Sequence, residues 1–96
     1  MLLTDYKDNE VSADIDYKGS FIEVAGVVGE IKKDILGKPY VTVGHGRDLE
    51  IPVVQCVLRP AEVDRATSLH KGDSVTVRGT VTGLLFNVQM TDCEIR

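Results

Sequence analysis

Seven side chains between positions 32 and 47 could meet a ligand by charge, stacking or hydrogen bonding: Lys32, Lys33, Lys38, Tyr40, Thr42, His45 and Arg47. Four bases against Asp34 give this window a charge of +3, the most basic in the chain. Cations seek phosphates and a tyrosine ring offers a face to a base, which is the chemistry single-stranded nucleic acid requires. Three lysines in a loop are also what an ordinary solvated turn contains. A second group, Leu84, Leu85 and Phe86, places large apolar residues in a predicted turn after Gly83. Exposed, they would anchor a protein partner; turned inward, Leu85 or Phe86 would plug a barrel end, as is expected of at least one of them.

Catalytic chemistry is harder to find. The chain has no Gly-rich phosphate loop, no nucleophile motif and no paired carboxylates at useful spacing. His45 between Gly44 and Gly46 reads as a flexible turn, and Asp92 and Glu94 would point away from Cys93 on a strand. The two histidines and two cysteines form no zinc spacing. The expectation is a protein that is not an enzyme and carries no metal or cofactor.

These residues need a scaffold, and hydrophobic periodicity describes one. Val75, Val77 and Val81 alternate with Thr76, Arg78, Thr80 and Thr82, the period of a strand with one dry face. Gly79 falls on the dry face, where it would let the strand coil or another backbone approach. Ile22, Val24, Gly26 and Val28 repeat the pattern in a strand predicted from Phe21 to about Lys33. Two long strands with mid-strand glycines suggest a small curled barrel. Strands are further predicted from Tyr40, from Glu50 to Leu58, and from Asn87 to Arg96, the last with a bulge near Thr91–Asp92 where the inward phase shifts. The third strand, apolar on both faces, is expected to be covered on both sides. Pro60 opens a short helix with Ala61, Val63, Ala66 and Leu69 inward, ended by Gly72.

Ahead of the barrel, Leu2, Tyr6, Asn9, Ala13 and Tyr17 share one helical face, predicting a helix over residues 2–14 laid against it. Asn9 on that face is expected to hydrogen-bond barrel backbone. Residues 1–17 hold five acids and one base, so this prefix carries the whole net charge of −4 and the barrel, residues 18–96, is neutral. Cys56 and Cys93 are read either as buried thiols or as one disulfide, which would need an oxidising compartment. Ninety-six residues make a single domain with no apolar run of membrane-span length. Read as complete, the chain lacks a signal peptide and is expected in the cytoplasm; a trimmed signal would place it in the envelope.

The order strand, strand, strand, helix, strand, strand is that of the five-stranded Greek-key oligonucleotide/oligosaccharide-binding (OB) barrel. The chain also resembles the bacterial tRNA-anticodon-like OB-fold family over nearly its whole length. The resemblance lies in Tyr6, Asn9, Ala13 and Tyr17-Lys18-Gly19, in Val24-x-Gly26-x-Val28 with Ile31, and in Gly37-x-x-Tyr40-Val41. It continues in Gln55-Cys56, in Lys71-Gly72-Asp73-x-Val75-Thr76-Val77-Arg78-Gly79 and in Asp92-Cys93-Glu94-Ile95. It implies an OB barrel with a helical prefix and often an exported or lipid-anchored setting, with no catalytic residues. The neutral barrel, the acidic prefix and the scarcity of stacking rings favour a protein partner, with the chain as adaptor or small inhibitor. Single-stranded nucleic acid, bound on the second and third strands and their basic loop, is the alternative. Oligomeric state is left open, an exposed edge of the third or fifth strand being one route to self-association.

Overall fold

The computed structural model describes residues 2–47 and 50–96. Five strands form a closed barrel: β1 (Phe21–Lys33), β2 (Pro39–Gly44), β3 (Val54–Leu58), β4 (Ser74–Leu85) and β5 (Asn87–Ile95), in the order β1-β2-β3-β5-β4. Neighbours are antiparallel except β3 and β5, which run parallel and close the cylinder. That closure removes the third- and fifth-strand edges left open by the sequence. The chain is mainly β, with helices at its start and a short helix between β3 and β4, as expected.

Alternation decides the core. Val28, Val41, Val43, Val54, Val77 and Val88 are buried, and the alternate residues of β3, β4 and β5 face outward or are half-covered, whereas on β2 Thr42, between Val41 and Val43, is buried too. β1 winds from β4 onto β2, and a bulge between Val28 and Ile31 accompanies the change of partner. The predicted β5 bulge is present: the register jumps between Arg78 and Thr80, and Asp92 takes φ 58°. The inward phase therefore passes from Val88 and Met90 to Cys93 and Ile95. Cys56 and Cys93 form a disulfide in the interior, with Cα atoms 5.9 Å apart. Both mid-strand glycines are needed for close approach. A Cβ on Gly79 would lie 2.6 Å from the Cys93 sulfur, and one on Gly26 2.6 Å from the Gly44 carbonyl oxygen.

Several expectations change. The N-terminal helix is two helices, α1 (Leu2–Asp8) and α2 (Glu10–Tyr17), divided at Asn9. Asn9 is exposed and extended, and its side-chain oxygen accepts the Ser12 N–H at 3.1 Å, so it caps α2 and bonds no barrel backbone. Leu2, Tyr6 and Ala13 do face the core, and the Tyr6 and Tyr17 hydroxyls donate to Asp14 (2.7 Å) and Asp5 (2.6 Å). β3 starts at Val54 and not at Glu50: Pro52 has no N–H to give, and the Val53 N–H goes to the Asn87 side chain. Gln55 and Val57 on its outer face are only half-covered, so cover is one-sided. Between β3 and β4 a 3-10 turn (Pro60–Glu62) leads into α3 (Val63–Ala66). Ala61 is exposed; Glu62 turns toward the barrel instead and accepts the Ile95 N–H at 2.8 Å.

Candidate ligand-binding groove

The outer face of β1 and β2 carries a groove of about 420 Å³ where β1 leaves β4. Gly29 and Gly44 line it with the Thr42 hydroxyl and the Glu50 and Val53 side chains packed close against them, and Val27, Glu30, Arg47 and Lys71 complete the lining. Lys71 comes from the loop before β4, which the Gly72 N–H fastens to the Val28 carbonyl at 2.8 Å.

Thr42, expected to meet a ligand, is buried in this lining, and its hydroxyl accepts the Glu30 N–H at 2.8 Å. That bond satisfies an amide released by the β1 bulge, so the side chain shapes the groove from below. His45 is likewise occupied. Its backbone N–H and Nδ1 meet the Glu50 carboxylate at 2.7 and 2.6 Å. Burial would raise the Glu50 pKa, but the His45 N–H, its ring and the Arg47 N–H outweigh it and hold the group below its ordinary value. This clasp ties His45 to Glu50, and the Arg47 N–H joins it.

The other predicted residues lie elsewhere. Lys32 pairs with Tyr40 across the β1–β2 ladder, and Tyr40 faces Val57 of β3, so ring and ammonium share the outer face. Tyr40 is half-buried, and Lys32 sits 3.7 Å from Glu30. Lys33 and Lys38 flank the tip of the β1–β2 hairpin, farther from the groove along the same strands. β4 runs on through the predicted turn to Leu85: Leu84 is half-buried against the core, whereas Leu85, ending the strand, and Phe86, the single residue before β5, are 77% and 74% exposed. Neither Leu85 nor Phe86 plugs the barrel. Phe86 adopts φ 64°, a conformation an aromatic residue seldom takes.

Elsewhere on the barrel surface the arginines are paired. Arg59 and Arg78 both bond Glu94, Arg59 also reaches Asp92 at 3.2 Å, and Arg96 meets Glu23 at 3.0 Å. Arg65 lies 3.9 Å from Glu62. Arg47 is therefore the arginine without a carboxylate partner among the described residues, and Lys71, Lys33 and Lys38 share that condition. Sequence reasoning missed Lys71, because only the pairing of β1 with both β4 and β2 brings positions 71 and 47 to one groove. It also passed over Ile35 and Leu36, whose apolar character inside a glycine-containing loop was visible in the sequence.

Comparison with known proteins adds family and fold. The sequence profile of the tRNA_anti-like family matches residues 1–95. A solved structure from Klebsiella pneumoniae subsp. pneumoniae, described as a "putative nucleic acid-binding lipoprotein", superposes with a TM-score of 0.77. The alignment covers 99% of this chain and 85% of that one at 21% identity, a likeness of fold. No curated protein sequence matches.

Proposed function

The chain belongs to the tRNA_anti-like family, and on that footing we propose that it is a non-catalytic binding module whose groove takes an extended single-stranded nucleic-acid segment. The observation that carries this reading is that Arg47 and Lys71, neither with a carboxylate partner among the described residues, line one groove together, beside the Glu30 and Glu50 carboxylates. OB barrels hold ligands across the second and third strands, and Thr42 and Gly44 of β2 bring this groove to the border of that face. Tyr40 and Lys32 extend the same outer face beyond the groove. The description of the Klebsiella structure lends support to the ligand class. With one half-buried ring and few cations, binding is modest in strength and sensitive to salt. The interior disulfide suits a compartment that keeps thiols oxidised, so we place the action of the protein there.

Anisotropy of a labelled single-stranded oligonucleotide tests this reading. Arg47→Ala with Lys71→Ala should weaken binding roughly tenfold at low salt and flatten the log–log salt slope by about 1.4, two single-strand phosphate contacts' worth. Affinity indifferent to salt and to both substitutions would remove the proposal. One observation favours a second reading, a protein partner held by the β4–β5 turn: Phe86 is 74% exposed in a positive-φ conformation. In that case Phe86→Asp abolishes capture from nuclease-treated extract while the melting curve is unchanged, and intact capture excludes the turn.

A further inference from the structure

The β1–β2 hairpin ends in two aliphatic side chains that the barrel does not use. Ile35 is completely exposed (102%) and Leu36 is 76% exposed. Their turn is nonetheless well tied. The Asp34 N–H donates to the Lys38 carbonyl and the Gly37 N–H to the Asp34 carbonyl, each at 2.9 Å. The Asp34 carboxylate accepts the Leu36 and Lys38 N–H groups, also at 2.9 Å. It is thus engaged inside the turn, while Lys33 and Lys38 beside it have no ion-pair partner among the described residues. Residues 32–38 carry +2, which leaves −6 on the rest of a chain whose net charge is −4.

We propose that this tip docks the protein on an anionic bilayer surface, Ile35 and Leu36 entering the headgroup boundary and the lysines meeting lipid phosphates. Aliphatic side chains offer no ring for bases to stack on, so the tip suits nucleic acid poorly. Lysine stems can lie along apolar surface with the ammonium at the phosphate level. An anionic surface draws the basic tip and repels the acidic body, so charge complementarity also sets the orientation. A single hairpin tip binds weakly and reversibly, and its role is to orient the domain on the surface. This site is separate from the Arg47–Lys71 groove, which lies on the order of 15 Å back along β1 at the usual rise per residue.

Co-sedimentation of the purified chain with phosphatidylglycerol-containing vesicles, against neutral phosphatidylcholine vesicles, tests the proposal. Binding to the anionic vesicles should fall by roughly tenfold or more in Ile35→Ser with Leu36→Ser. It should also fall by roughly fivefold for each of Lys32, Lys33 and Lys38 changed to Ala. The chain contains no tryptophan, so in Leu36→Trp a blue-shifted emission on adding anionic vesicles reports insertion directly. The serine pair should keep its melting temperature and its oligonucleotide affinity. No binding to anionic vesicles, equal binding to neutral ones, an unshifted tryptophan, or oligonucleotide affinity lost with the serine pair would each overturn it.

Discussion

Gly79 shows how little room a single position can leave. A Cβ there would meet the Cys93 sulfur at 2.6 Å and the Thr91 carbonyl oxygen at 2.8 Å, and neither belongs to a flexible side-chain end. Gly79→Ala should therefore destabilise the fold by about 1–3 kcal/mol through overpacking, read as a lower denaturant midpoint. The sequence indicated that something must come close at this position, since a glycine stood on a valine face. It could not say that the neighbour was a sulfur. Asn9 is the opposite case. Its place in the i, i+4 series suggested a buried amide, but asparagine competes well for the N-cap, and the chain broke there to make a second helix.

Individual elements are held in place by a charged lattice on the barrel surface. Arg59, just after β3, and Arg78, on β4, converge on Glu94 of β5. The hydrogen bond from Arg78, helped by the nearby positive charge of Arg59, Arg78 and Arg96, outweighs burial and holds the Glu94 carboxyl below its ordinary 4.5. The native state thus prefers the ionised form. Its stabilising effect is complete above pH 4.5 and disappears as pH falls through the lowered native value. Glu94→Gln should melt lower than the parent at pH 7, and the gap should narrow steadily below pH 4, as followed by circular dichroism. Periodicity alone located all five strands and the β5 bulge, because each is written in which residues are dry. The lattice, the Glu50–His45 clasp and the Arg47–Lys71 pair were not legible. The lattice and the Arg47–Lys71 pair join residues of different strands and loops, which no local pattern records, and the clasp depends on how one loop folds back on itself between Gly44 and Val54.

Across the whole molecule, the seam between β3 and β5 completes the fold. It joins residues 54–58 to residues 88–93 in parallel, and the Cys56–Cys93 bridge spans 37 residues of sequence inside it. Reduction should cost about 2–4 kcal/mol by the loop-closure argument, visible as a lower melting temperature in reductant and as two thiols reacting only after unfolding. A matching melting curve with and without reductant would show that packing alone secures the seam. The seam also sets an order on assembly. Both the second neighbour of β3 and the partner of Cys56 lie on β5, so neither the cylinder nor its bridge can be completed before residues 87–95 are in place.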